Sequence, residues 1–185
     1  MDTGTAPATG WVALYAIYNP TNQASALLAV NATTVTAPEV YGGANMPTGY
    51  TASALVSVWK TTGASLFDLG ILQDRHVDIS RSSAFSFAAQ QVILTRIYNA
   101  VLIPRNAKFI YGDAQVSNAT GSTNYQIGPT SNAIGLTSIS FAITGSYQLP
   151  FKTSILASSV QTISYMFTFS SGTPALSIYI VGYDF

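Results

Sequence analysis

Cysteine is absent from this 185-residue chain, and charge is scarce. Seven Lys and Arg balance seven Asp and Glu, so charged residues make up 8% of the sequence and the formal net charge is zero. The lack of cysteine excludes disulfides, thiolate metal sites and cysteine nucleophiles. The lack of clustered Lys and Arg argues against nucleic acid as a partner, because binding to phosphates depends on such clusters.

Long apolar runs and a basic leader are also missing. The sequence starts MDTGTAPATG, and every apolar run is soon interrupted by Thr, Ser or Tyr. We therefore expect no signal peptide and no membrane insertion. We interpret residues 1–10 as a flexible N-terminal arm or linker and residues 11–185 as one domain, for which the length is sufficient.

Hydroxyl groups and aromatic rings take the place of charge. The chain contains 21 Ser, 21 Thr, 11 Tyr and 9 Phe. Such a surface is polar but nearly uncharged, and a net charge of zero leaves little repulsion between copies. We therefore expect self-association into a symmetric homo-oligomer.

The pattern of the sequence is β throughout. WVALYAIY (11–18) and ASALLAV (24–30) flank an Asn-Pro-Thr-Asn turn, which predicts a hairpin. In residues 160–169 the aromatic residues fall on alternate positions with Gln161 and Ile163, which predicts that this face points inward. About ten short strands without a fixed repeat predict an all-β fold, an antiparallel β-sandwich of jelly-roll-like type. Only SRSSAFSFAAQQ (80–91) leaves room for a short helical turn.

Residues for catalysis are few. Hydrolysis of a glycan needs two placed carboxylates, and Glu39 with Asp113 or Asp74 with Asp78 are both open as pairs, although no spacing selects either. The single His76 is not accompanied by a Gly-x-Ser-x-Gly elbow. We predict that the protein is not an enzyme and has neither catalytic residues nor a cofactor.

One polar segment, QDRHVDISR (73–81), has the residue types of a metal site. On a strand Asp74, His76 and Asp78 would share a face, and such a row could hold a divalent ion. The alternative is a local salt-bridged loop. We favour the loop and predict no metal.

Ligand-binding candidates come from a Gly-rich loop and from aromatic residues next to polar ones. The loop EVYGGANMPTGY (39–50) lacks the Lys and Ser/Thr of a phosphate loop. It is either a turn that needs positive φ at Gly42, Gly43 and Gly49 or an exposed contact loop. Sugar sites on β scaffolds pair rings with polar side chains, which gives the candidates Glu39, Tyr41, Asn45, Tyr111, Asp113 and Tyr125. Four dispersed cations are either an anionic-glycan site or isolated surface charges: Arg96, Arg105, Lys108 and Lys152.

Two motifs carry a family resemblance. The segment GWVALYAIYNPTNQASALLAV and the element Pro47-x-Gly49-Tyr50-Thr51, followed by ASALVSVWKTTG, resemble tail fibre and receptor-binding proteins of bacteriophages and prophages. The resemblance covers about residues 10–80 and carries over no binding residue. It implies a homotrimeric β domain in the virion, at the distal end of a phage tail and next to other tail proteins. It also implies that the protein is made in the host cytoplasm. Its partner would be a bacterial surface glycan or an outer-membrane protein.

Other functions stay open at this point. A capsid, baseplate or decoration protein would have the same composition without a receptor role. A lectin-like module of cellular origin and a glycan-degrading enzyme of the tailspike type are further alternatives. The adhesion function is the one that we carry forward as the expectation.

Overall fold

A computed structural model describes residues 1–141 and 145–185, and strands make up most of them. The described residues form twelve strands and a single 3-10 turn at Ala157–Ser159. The strands are β1 (Gly10–Asn19), β2 (Ala24–Asn31), β3 (Ala52–Thr61), β4 (Gly70–Gln73), β5 (His76–Phe87), β6 (Gln91–Tyr98), β7 (Phe109–Asn118), β8 (Thr123–Gly128), β9 (Thr137–Phe141), β10 (Gly145–Ser154), β11 (Thr162–Phe169) and β12 (Ala175–Asp184).

These strands form three antiparallel sheets. Their orders are β2-β1-β3, β10-β7-β12-β5-β4 and β6-β11-β8-β9. The prediction of an all-β antiparallel fold is confirmed, and the layers are consistent with an all-β sandwich. Nothing in the described residues forms a helix long and apolar enough to span a membrane.

The predicted hairpin is confirmed, and the helical turn at 80–91 is wrong. Strands β1 and β2 pair in register from Val12 opposite Asn31 to Asn19 opposite Ala24. Residues 80–87 instead belong to β5. Phe85 and Phe87 pair with inward-facing residues of β12, and their rings stack with centroids 6.2 Å apart.

Aromatic side chains join the sheets. The Trp11 ring meets the Tyr183 ring edge-on at 5.5 Å, and the Tyr183 hydroxyl donates to the Val58 carbonyl oxygen at 2.7 Å. These contacts lock the three-stranded sheet onto the five-stranded sheet. Phe87 stacks on Tyr165 at 4.0 Å, which joins the five-stranded sheet to the four-stranded sheet. Burial strongly raises the pKa of the Tyr183 hydroxyl.

The inward face predicted for residues 160–169 is confirmed. Ile163, Tyr165 and Phe167 lie in the core, and Gln161 is buried beside them. The amide of Gln161 donates to the Ile103 carbonyl oxygen at 2.8 Å, so burial of this polar side chain is compensated. Ser164, which belongs to the other face of β11, is buried as well.

Residues 1–10 lie against the first sheet. The Asp2 amide donates to the Ala29 carbonyl oxygen at 2.8 Å, and the Ser65 hydroxyl donates to the Ala6 carbonyl oxygen at 3.2 Å. A linker role for this segment stays a prediction.

The register of the five-stranded sheet places the polar residues of four strands on one face. Asp184 lies opposite His76 of β5 on one side and opposite Phe109 of β7 on the other. Gly182 lies opposite Asp78 and Tyr111 in the same way. Residues directly opposite in a sheet share a face, so this surface points away from the Tyr183 side.

Candidate functional site

Several charged side chains share this outward surface, which we call the charged face. It carries three of the seven acidic residues, two of the seven basic residues and the only histidine. Three aromatic rings lie among these charges. Its members are His76, Asp78 and Arg81 of β5, Phe109, Tyr111 and Asp113 of β7, Lys152 of β10, and Tyr179 and Asp184 of β12.

His76 is held between two carboxylates. Its Nδ1 lies 2.6 Å from Asp184 Oδ1, and its Nε2 lies 3.0 Å from Asp78 Oδ1. Partial burial lowers the pKa of His76, but the hydrogen bonds to Asp184 and Asp78 outweigh it, so the pKa is raised above its usual value. Each ring nitrogen faces a carboxylate oxygen, and this arrangement favours the imidazolium, in which both nitrogens can donate.

Asp184, at the end of β12, is surrounded by several hydrogen-bond donors. Besides His76, the Tyr111 hydroxyl donates to Asp184 Oδ2 at 2.7 Å, and the Lys152 ammonium lies 3.7 Å from the same oxygen. Burial raises the pKa of Asp184, but the hydrogen bonds from Tyr111 and His76 lower it more, so the carboxylate is ionised. Lys152 also lies over the rings of Phe109, at 4.4 Å, and Tyr111, at 4.7 Å.

The middle of the charged face holds a second ion pair. Arg81 donates from Nε and Nη2 to the two oxygens of Asp113 at 2.8 and 2.6 Å. Its guanidinium carbon lies 3.3 Å from the centroid of the Tyr179 ring. This bidentate geometry fixes the Arg81 side chain, and it raises the pKa of Arg81 further.

A groove of about 490 Å³ opens at the edge of the charged face. It is lined by Gln73, Asp74, Arg75, His76, Lys108, Phe109 and Asp184. Arg75 closes one side, since it donates to both oxygens of Glu39 at 3.0 Å and to the Phe185 carbonyl oxygen at 2.7 Å. The arrangement combines fixed charges with exposed ring surface, which suits a polar ligand that also has an apolar face.

The structure brings three of the six predicted ligand-binding residues to this region. Tyr111 and Asp113 belong to the charged face, and Glu39 reaches the rim of the groove through Arg75. Asn45 lies exposed in the Gly-rich loop, away from these contacts.

The other two predicted residues lie in the interior. Tyr125 is 0% exposed in the middle of β8, and burial raises the pKa of its hydroxyl to about 12. Tyr41 is 9% exposed, packs edge-on against Tyr15 and donates to Asp2 Oδ2 at 3.2 Å. Because these side chains fill the core, neither offers a surface to a ligand. The alternation of residues in the sequence was not enough to distinguish them from Tyr111, which belongs to the charged face.

The Gly-rich loop needs less backbone freedom than its three glycines suggest. Only Gly49 of its three glycines has a positive φ, at 87°. Gly43 instead lies so close to the Tyr41 ring that an added Cβ would overlap its Cε2 at 2.8 Å. The loop is thus shaped partly by packing on Tyr41.

The metal-site hypothesis required Asp74, His76 and Asp78 to share one face of a strand, and the chain does not form that row. Asp74 lies in the β4–β5 turn with a φ of 54°, so it does not share the strand face of His76 and Asp78. Asp184, from a strand far along the sequence, takes the place beside His76. Within residues 1–141 and 145–185, no group of three or more His, Asp or Glu is arranged to hold a metal ion.

Four residues of the charged face were missed by sequence reasoning: Arg81, Phe109, Tyr179 and Asp184. The alternation in HVDISR and in IYIVGYD marks their faces, but only the pairing of β12 with β5 and β7 brings them together. A scan against models of known protein families gives no match to this chain, and a search of curated protein sequences gives none either.

Proposed function

We propose that the chain is a receptor-binding domain of a phage tail fibre, which attaches the virion to a bacterial surface glycan or protein. The observation that carries the proposal is the charged face, where nearly all the polar groups are already ordered around aromatic rings. Ring faces combined with charged and amide groups are the usual means of holding sugars on β scaffolds.

The placement of charge supports a contact role. A chain with so few charged residues would be expected to scatter them, since isolated surface charges add little to stability. Here Arg81, His76 and Lys152 are instead fixed by carboxylates and rings on one sheet. Side chains that are ordered in advance lose little entropy when a ligand binds, so such a face favours recognition.

A second surface supports association between copies of the chain, which the proposed homotrimer requires. Leu27, Val56, Phe67 and Leu72 line an apolar groove of about 340 Å³ together with Trp59, and each of the four is at least 36% exposed. We call these five residues the apolar face. Exposed apolar surface of this kind marks association sites, and we assign it to contact between copies of the chain. Several weak glycan contacts on one trimer would then act together.

The test is attachment itself. Labelled protein is expected to bind the host bacterium saturably and to compete with virions for adsorption, and removal of surface glycans or proteins should identify the receptor class. Protein that neither binds cells nor blocks adsorption would favour a structural virion role. Release of oligosaccharides from the surface polysaccharide would instead establish a tailspike-type enzyme.

A further inference from the structure

A concave surface with an uncharged polar lining lies at one end of the four-stranded sheet. It encloses about 440 Å³, which falls within the range of about 300–1,000 Å³ that is usual for sites of small ligands. It shares no residue with the charged face, which belongs to the five-stranded sheet. We call it the hydroxyl pocket, and it is lined by Ser122, Thr123, Asn124, Ser140, Thr168, Phe169 and Ser170.

The strand register places three polar side chains of the hydroxyl pocket in one row. Thr168 of β11 lies opposite Asn124 of β8, and Asn124 lies opposite Ser140 of β9. Residues directly opposite in a sheet share a face, so these side chains lie next to one another across three strands, over about 10 Å. Phe167 and Tyr125, which alternate with this row in the sequence, are buried in the core, so the row itself faces outward.

Several hydroxyl groups of the pocket have hydrogen-bonding capacity left for a ligand. Among the described residues, the Thr168 hydroxyl has no hydrogen-bond partner. The Ser140 hydroxyl accepts from Asn124 Nδ2 at 2.5 Å, and its own proton is free to be donated. Ser170 Oγ accepts from the Ser122 amide at 2.9 Å and from the Ser122 hydroxyl at 3.2 Å, so it too can donate its proton.

The serine pair at the rim of the pocket is held in place by the backbone. The Ser170 amide donates to the Ser122 carbonyl oxygen at 3.0 Å. Gly121, with a φ of 84°, lets the β7–β8 turn approach this pair, because an added Cβ would lie 2.7 Å from Ser170 Oγ. Groups that are ordered in advance lose little entropy when a ligand binds.

The ligand chemistry follows from the uncharged lining. Recognition of an anion depends on Lys or Arg, and a metal ion depends on carboxylates or histidine, but none of these lines the hydroxyl pocket in the described part of the chain. The four cations noted in the sequence all lie outside it. Hydroxyl groups that donate and accept match a ligand whose own groups do both, as the hydroxyl groups of a sugar do.

We propose that the hydroxyl pocket binds a neutral saccharide through hydrogen bonds to Thr168, Ser140 and Ser170. The inference rests on the proposed function for its biological setting, and it names an uncharged sugar unit as part of the receptor. The pocket adds a contact on a second sheet, so one copy of the chain would hold a glycan at more than one place.

The test follows the amide chemical shifts of isotope-labelled protein during titration with neutral oligosaccharides of glucose, galactose, mannose and N-acetylglucosamine. An oligogalacturonate is the acidic comparison. We expect at least one neutral ligand to bind saturably and to shift the amides of residues 122–124, 140 and 168–170, and we expect the acidic ligand to bind more weakly.

Paired substitutions test the hydroxyl groups themselves. Ser140→Ala/Thr168→Val should bind the neutral ligand about tenfold more weakly, because the hydrogen bonds of two hydroxyl groups are lost. Ser25→Ala/Thr162→Val makes the same changes on β2 and at the start of β11, outside the pocket, and should bind as the parent protein does. Circular dichroism establishes that each variant is folded.

Three results would overturn the inference: no shifts at the pocket residues with any neutral ligand, equal binding of the acidic ligand, or unchanged affinity in the folded Ser140→Ala/Thr168→Val variant. Adsorption to host cells is measured on the same preparations. Cell binding by a parent protein whose pocket residues do not respond to sugar overturns the pocket and leaves the proposed function standing. A pocket that binds sugar in a protein that does not bind cells overturns the proposed function alone.

Discussion

Among the residues of the charged face, His76 contacts three others directly. Its ring nitrogens meet Asp184 and Asp78, and its ring lies edge-on to Tyr111 at 4.7 Å. When it is protonated, the ring donates to both carboxylates, so it joins β5 to the end of β12 and separates two groups that would otherwise repel each other. A neutral ring would leave one carboxylate without its donor.

The pH dependence of this contact follows from the raised pKa of His76. The folded protein binds the proton more tightly than the unfolded chain, whose histidine pKa is about 6.5. The stabilisation is therefore fully present below about pH 6.5 and is lost as the pH rises through the folded-state pKa. Asp184, with its lowered pKa, stays ionised over this range.

We predict that His76→Gln lowers the free energy of unfolding more at pH 5.5 than at pH 9. The pH-dependent part of this loss in unfolding free energy should be about 1 kcal/mol, because solvent screens a partly exposed ion pair. Urea denaturation at the two pH values measures it. Ser86→Ala, which removes an exposed hydroxyl from the same strand, should show no such pH dependence. If His76→Gln lowered the free energy of unfolding equally at both pH values, His76 would not be held as a cation between two carboxylates.

At the level of elements, β7 organises the site. It pairs with both β10 and β12, and it supplies Phe109, Tyr111 and Asp113 to the charged face. Gly112 belongs to the opposite side of this strand. A Cβ there would overlap the Tyr179 carbonyl oxygen and would lie 2.6 Å from Phe151 Cζ, so glycine is what allows the three strands to approach.

Gly112→Ala should accordingly destabilise the protein by about 3 kcal/mol, since neither the Tyr179 backbone nor the packed Phe151 ring can move freely to make room for the added methyl group. Urea denaturation followed by circular dichroism gives the value. Gly42→Ala is the matched control, because a Cβ at that exposed position meets nothing within 4 Å. If the two alanine variants were equally stable, β7 would not be packed as tightly as described.

Sequence periodicity predicts the elements well where alternation is regular, as in the β1–β2 hairpin and in β11. It fails for β5, because register shifts opposite Ile178–Tyr179 and opposite Ile180–Gly182 interrupt the alternation of RSSAFSF. The charged face was harder still to predict from the sequence. Its contacts join residues as far apart as His76 and Asp184, and strand register across such distances is not encoded in any local pattern.

In the whole molecule, we assign assembly and attachment to different surfaces. The charged face would meet the receptor, while the apolar face would be covered by another copy. The zero net charge of the chain is consistent with such association, because copies repel little.

Light scattering tests the assembly. We expect a mass of three times the 19.5 kDa of the chain at micromolar concentration, and a decrease towards the chain mass for Phe67→Glu. The substitution places a charge in the apolar face, whereas Val35→Glu places one at an exposed loop residue and should leave the mass unchanged. A parent protein that is monomeric would remove the basis for multivalent attachment.

The most direct test of the central claim is a titration of labelled protein onto host cells with two matched truncations. Phe109→Ala removes an exposed ring from the charged face, and Ile134→Ala removes an exposed side chain from the loop before β9. We predict saturable binding by the parent protein and by Ile134→Ala, and binding at least about tenfold weaker for Phe109→Ala. Equal binding by all three proteins would contradict the charged face as the attachment surface, and absence of binding by the parent protein would contradict adhesion itself.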